Sequence, residues 1–219
     1  MKPVVVLLHG LLRTSRSMSR LGEALERDGH TVIVRGYPSQ RLPIARNAED
    51  IAVELANSFG DRPLVFVTHS LGGVIARFIA GPLAERFELK VQGIVMLAPP
   101  NSGSRLAQRL GKLKLFQRLY GPAGQELRSA EQASFPSPPV PIAVIAGTTA
   151  RGMNPVGWLS RAIGLIAADE PSDGTVLVEE TRIDGMVDFA TVAASHTFIM
   201  DHPEVHTMVR HFIREGRLR

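Results

Sequence analysis

Apolar and β-branched residues fall in short unbroken runs: Val4–Leu8, Thr31–Val34, Leu64–Val67, Ile94–Leu97, Ile142–Ile145 and Phe189–Val192. The runs do not alternate with polar residues, so they predict strands covered on both faces. Between them, Ser17–Asp28, Ala45–Phe59 and Leu71–Ala80 carry helical spacing; Ile51, Leu55 and Phe59, for example, recur every fourth position. A last helix is expected over Pro203–Arg214. Strand and helix in alternation predict a parallel sheet with helices on both sides. Two segments break the alternation: 101–140, which closes in the proline-rich Phe135–Pro139, and 147–172, rich in Gly, Ala and Pro. Both follow the carboxyl ends of predicted strands, where open α/β sheets build their sites. The expectation is one domain over 1–219, with a lid-like insertion at 101–140 and a second insertion at 147–172.

Composition narrows the chemistry. At 219 residues, 44% hydrophobic and 21% charged, the chain is long and apolar enough for a sizeable core. It has no cysteine, which removes disulfides, thiol catalysis and Cys-based metal sites. Its net charge is +4, carried mostly by arginine, with lysine only at positions 2, 90, 112 and 114. No Cys/His finger spacing or aromatic-rich basic strand points to nucleic acid. Met1-Lys2-Pro3 leads straight into the first strand without a leader pattern, and no apolar run approaches the roughly 20 residues of a membrane span. A cytoplasmic location is the expectation.

Thr68-His69-Ser70-Leu71-Gly72-Gly73 joins the predicted strand Leu64–Val67 to the helix beginning at Leu71. A serine at such a turn is thrust out of the sheet with a helix N-terminus behind it, the setting of a nucleophile. A serine nucleophile needs a base, and the base an orienting acid. The first histidine after Ser70 is His196, just past the predicted strand Phe189–Val192. Asp173, in Ser172-Asp173-Gly174-Thr175-Val176, is the favoured acid, since Gly174 permits a tight turn. Asp169, Glu170, Asp184 and Asp188 are the alternatives, while the segment after the fourth run, Ala98-Pro99-Pro100-Asn101, holds no acid. A developing oxyanion needs two N–H donors. After the first strand, His9-Gly10-Leu11-Leu12 makes Leu11 one candidate, and Leu71, directly after the serine, is the other.

Together with Leu97-Ala98-Pro99-Pro100-Asn101-Ser102-Gly103-Ser104, these segments make the whole chain resemble the α/β-hydrolase superfamily, on the side of small bacterial lipases, esterases and lipase-like deacylases. The resemblance implies a minimal α/β-hydrolase fold, a mainly parallel sheet of about six strands with helices on both faces. The family's two leading antiparallel strands are missing from this expectation, because the first strand begins at residue 4. It implies a triad of Ser70, Asp173 and His196 and an oxyanion hole from the N–H groups of Leu11 and Leu71, supported by His9, Gly10, His69 and Gly72. No cofactor or metal is implied, and the substrate is a small-molecule or lipid ester. Acyl transfer or thioester cleavage on the same triad stays open, as does a catalytically silent fold that binds a lipid or partner. Thr68 departs from the pattern, which usually has glycine there.

Ser104–Tyr120 carries Arg105, Arg109, Lys112, Lys114 and Arg118 and no acid, while Leu106, Leu110, Leu113, Phe116 and Tyr120 share a face at helical spacing. The segment reads either as a lid touching a lipid surface or as a helix packed on the sheet with its charges in water. Trp158 and Leu159 read as acyl-pocket or packing residues. His202 and His206 have the spacing of metal ligands, and a solvated helix face is the plainer reading.

Overall fold

The computed structural model describes residues 1–110, 112–128, 135–149 and 170–219. Six strands, β1 (Val4–Leu8), β2 (Thr31–Arg35), β3 (Leu64–His69), β4 (Val91–Leu97), β5 (Ile142–Gly147) and β6 (Asp188–Val192), form one sheet in the order β2-β1-β3-β4-β5-β6. Every neighbouring pair is parallel. The helices are α1 (Ser19–Arg27), α2 (Ile44–Phe59), α3 (Leu71–Phe78), the short α4 (Ala84–Arg86), α5 (Arg105–Leu110), α6 (Lys114–Glu126) and α7 (Pro203–Glu215). This is the parallel sheet flanked by helices that the hydrophobic runs predict, with the six strands that the family resemblance implies.

The unbroken runs have a direct physical cause. Val4, Val6 and Leu8 point into a core shared with Ile44, Ile51 and Leu55 of α2 and Val74 and Ile75 of α3. Val5 and Leu7 point the other way, against Leu21 and Leu25 of α1 and into the same core as Met208 and Phe212 of α7. Strand side chains alternate between faces, so a strand with a core on each side must be apolar at every position. Helix α7 starts at Pro203, ends at Gly216 in the left-handed region (φ 73°), and bonds the Gly216 N–H to the Phe212 carbonyl at 2.8 Å. Among the described residues no helix is long and apolar enough to cross a membrane.

Glycine 72 positions the site. A side chain there would place Cβ 2.7 Å from the Leu8 carbonyl oxygen and 2.9 Å from that of His9. The start of α3 therefore lies against the carboxyl end of β1, which brings the turns after β1 and β3 side by side.

Candidate active site

Ser70 joins β3 to α3 with φ 51° and ψ −121°, a left-handed conformation that costs a non-glycine residue energy and is kept only when its surroundings over-determine it. Here the Ser70 N–H donates to the Leu97 carbonyl at 2.9 Å, and the Gly73 N–H donates to the Ser70 carbonyl at 2.9 Å. Leu71 is the first residue of α3, so its N–H has no acceptor one turn back. Thr68 sits fully buried, and its hydroxyl donates to the Val95 carbonyl at 3.3 Å. The residue that departs from the glycine pattern thus has its polar group satisfied within the sheet.

The chain returns to the sheet edge at Asp173. Its Cβ would lie 2.8 Å from a side chain added to Gly147, the last residue of β5. The Asp173 carboxylate is 1% exposed and fully engaged: Oδ1 accepts the N–H groups of Thr175 and Val176 at 2.9 and 2.8 Å, and Oδ2 lies 2.7 Å from His196 Nδ1. The His196 N–H also donates to the Asp173 carbonyl at 3.0 Å. A carboxylate can only accept, so His196 carries its proton on Nδ1 and leaves Nε2 as the acceptor. Ser70 and His196 line the same cavity, and no direct hydrogen bond joins them. Of the alternative acids, Glu170 pairs with Arg105 at 2.6 Å, Asp184 is exposed, and Asp188 serves the N–H groups of Phe189 and Leu218 at the start of β6, the sheet's other edge. Asp169 lies outside the described residues.

The turn after β1 is held by a stack that sequence reading did not find. The rings of His9 and Tyr37 lie 4.2 Å apart and nearly parallel. His9 Nδ1–H donates to the Gly10 carbonyl at 2.8 Å, His9 Nε2 accepts the Tyr37 N–H at 3.2 Å, and the Tyr37 hydroxyl donates to the His9 carbonyl. Burial keeps His9 below the usual imidazole range and Tyr37 above the usual phenol range. With the Gly10 carbonyl held, the Leu11 N–H across the same trans peptide must point the opposite way, and Leu11 lines the cavity. Gly10 is needed for proximity rather than for an unusual backbone angle. A Cβ there would meet His69 Nδ1 at 2.8 Å, while the positive φ of this turn falls on Leu12.

His69 is 1% exposed, and its Nε2–H donates to the His196 carbonyl at 2.9 Å. Its Nδ1 is buried without a partner. Burial, followed by the charges of His196 and Arg13, holds His69 well below the usual imidazole range, so the ring is neutral. It ties the strand before Ser70 to the loop bearing His196.

A cavity of about 340 Å³ opens over Ser70 and His196. Leu106, Ala107, Tyr120 and Leu127, from α5, α6 and the residue after α6, supply its apolar roof. The single helix expected over 104–120 is instead two, and the second continues through a kink at Gly121 (φ 61°) and Pro122. A Cβ on Gly121 would fall 1.8 Å from the Gln40 carbonyl oxygen, so only glycine allows that approach. Of the five residues expected to share an apolar face, Leu106 is buried and Leu113 is 56% exposed, while the side chains of Leu110 and Phe116 lie outside the described residues. Trp158 and Leu159 lie outside them as well.

Buried polar groups hold this roof. Arg77 of α3 donates Nε–H to the Pro136 carbonyl at 2.7 Å and Nη2–H to that of Phe135 at 2.8 Å, and Nη1–H to both oxygens of Asn101 at 3.2 Å. Burial lowers the Arg77 guanidinium to about 10. Glu180 accepts the Arg105 N–H at the start of α5 at 2.6 Å and the Leu177 N–H at 2.8 Å, and burial raises its carboxyl. Among the described residues no group of three His, Asp or Glu side chains converges as a metal site, and His206 Nε2–H donates to the Met200 carbonyl at 2.8 Å.

Known proteins share this architecture. The profile of the alpha/beta hydrolase family matches residues 5–210. Bacillus licheniformis lipase BlEst2 in its mature form superposes with a TM-score of 0.68 over 91% of this chain and 86% of the lipase, at 19% identity. The metagenomic carboxyl esterase MGS0156 gives 0.66 over 89% of this chain and 64% of its own, at 22% identity. Protein SERAC1 of Mus musculus is 31% identical over 77 residues, 32% of this chain and 12% of that protein. The chain therefore spans only a small part of the length of this curated relative.

Proposed function

The chain belongs to the α/β hydrolase family, and on that premise we propose that it is a serine hydrolase cleaving carboxylic esters with an apolar acyl group. The observation that carries the reading is the 2.7 Å bond from His196 Nδ1–H to Asp173 Oδ2, with His196 lining the same cavity as the strained Ser70. His196 Nε2 takes the hydroxyl proton as Ser70 Oγ bonds to the ester carbonyl carbon, and the carbonyl oxygen gains the negative charge. The N–H groups of Leu11 and Leu71 hold that oxyanion; one such donor is worth about 10²–10³ in turnover in other hydrolases. The tetrahedral intermediate collapses, the C–O bond to the alcohol breaks, and His196 returns the proton to the leaving oxygen. Water then gives its proton to His196, attacks the acyl-enzyme and releases the acid and Ser70. Asp173 keeps the imidazole in the tautomer this cycle needs. The apolar roof of Leu106, Ala107 and Leu127 supports an apolar acyl group.

A fluorophosphonate probe and a series of p-nitrophenyl esters test the reading. Wild-type protein should be labelled and should turn the esters over, and Ser70→Ala should lose both. Equal labelling of the two proteins, or turnover that survives in Ser70→Ala, overturns it.

A further inference from the structure

Among the described residues Arg13 is the formally charged side chain in the wall of this cavity, and the proposed reaction leaves it without a task. It follows the turn His9–Leu12, and its N–H closes that turn on the Gly10 carbonyl at 3.3 Å. Its guanidinium is partly buried and donates Nη2–H to the Thr197 carbonyl at 2.7 Å. Among the described residues no carboxylate lies within ion-pair distance of it. Asp201 acts on it through space and is itself 3.8 Å from Arg20. A guanidinium has five N–H donors, so most remain for a ligand. Desolvation of a cation beside apolar side chains is costly unless an anion completes the site.

The location of Arg13 indicates which part of a substrate it would meet. On the mechanism above, His196 hands its proton to the departing alcohol, so the alcohol lies beside His196. Arg13 is bonded to Thr197, the next residue, and its charge reaches the neighbouring His69 ring. The apolar wall of Leu106, Ala107 and Leu127 lies on α5 and at the end of α6, apart from this loop. We infer that the site takes esters whose alcohol carries an anionic oxygen group, phosphate in the first instance, which Arg13 grips through its remaining donors while the apolar acyl chain lies under α5 and α6. A guanidinium presents a planar fork that matches phosphate oxygens in pairs. This inference rests on the serine-hydrolase reading, since the leaving side is defined by His196.

Protection from labelling separates the two ideas without requiring turnover. Ser70 is labelled with a fluorophosphonate in the presence of 1-O-octylglycerol, 1-O-octylglycerol 3-phosphate or inorganic phosphate, each below micelle formation. The expected result is protection by the ether phosphate at concentrations about 10- to 100-fold lower than by the neutral ether, the range of a charge-assisted hydrogen-bonded contact. Arg13→Gln should bring that ratio close to one, and Arg13→Lys should restore part of it. Equal protection by the two ethers in wild type, or a ratio that survives in Arg13→Gln, overturns the inference and leaves Arg13 as a brace for Thr197. Inorganic phosphate protecting as well as the ether phosphate overturns the assignment to an anionic alcohol. Absence of labelling in wild type instead removes the serine-hydrolase reading itself.

Discussion

The floor and the roof of the cavity are built by different physics. The floor is the carboxyl edge of the sheet, where the segments that follow β1, β3, β5 and β6 carry Gly10, Ser70, Asp173 and His196. It closes tightly on its glycines: Gly72 meets the Leu8 and His9 carbonyls, Gly147 meets the Ala194 carbonyl and the Asp173 Cβ, and Gly10 meets the His69 ring. The roof, α5 and α6, packs Ala107 and Ala123 into the apolar core and meets Gln40 at Gly121, while the chain on either side of it is held by hydrogen bonds, with Arg77 bonding Asn101, Phe135 and Pro136 and Glu180 holding the start of α5. Close backbone contact leaves atoms no room to shift, whereas a clamp of hydrogen bonds can be loosened without moving the sheet. On the proposed reaction, the chemistry falls to the floor and substrate fit to the roof.

The strongest test of that division is Asp173→Asn. The asparagine oxygen can still accept from Thr175 and Val176, but its amide would face His196 Nδ1 and favour the wrong tautomer. Turnover of a soluble ester should fall about 10⁴-fold, as for the corresponding change in a serine protease, with the melting temperature changed by only a few degrees. A loss below tenfold would show that Asp173 does not orient the base.

Arg77→Leu probes the roof. It strips the donors from buried carbonyls of Asn101, Phe135 and Pro136, and each such orphan costs about 1–3 kcal/mol. Urea unfolding should show a loss of about 3 kcal/mol or more, and KM for a long-chain ester should rise several-fold, while kcat for a short ester stays within about threefold of wild type. A kcat loss as large as that of Asp173→Asn would erase the distinction between the two regions.

The smallest effect sharpens the floor. His69 has its folded-state value well below the unfolded one of about 6.5, so the unfolded chain takes up the proton first. Its contribution to stability is therefore present above pH 6.5 and is lost as pH falls below it, by up to about 1.4 kcal/mol per pH unit. In His69→Gln the side-chain amide can still donate to the His196 carbonyl, and melting temperatures measured from pH 7 to 5 should decline less steeply than in wild type. Parallel declines would mean that the His69 ring is not held neutral by its burial.

The strands were legible because a strand between two cores must be apolar at every position, as Val4–Leu8 and Leu64–Val67 are. Ser70, Asp173 and His196 were legible as candidates because each follows such a strand, and the structure joins Asp173 to His196 and seats His196 in the cavity with Ser70. The hold on each of them was not legible. Tyr37 is 28 residues from His9, His69 is 127 from the His196 carbonyl it bonds, and Arg77 is 59 from that of Pro136. The roof reads as one helix over 104–120 and is two in the structure, α5 ending at Leu110 and α6 beginning at Lys114.

By itself the sequence determined the parallel sheet, since burial periodicity is local and repeats within a few residues, and its motifs carried the resemblance to the family and the order of the candidate triad. Only the tertiary structure decided how His9, Tyr37 and His69 lock that edge, how the helix pair roofs it, and that Arg13 faces the cavity with no carboxylate partner among the described residues. Those arrangements depend on which distant groups share a buried space, and that is set when the two cores close on the sheet.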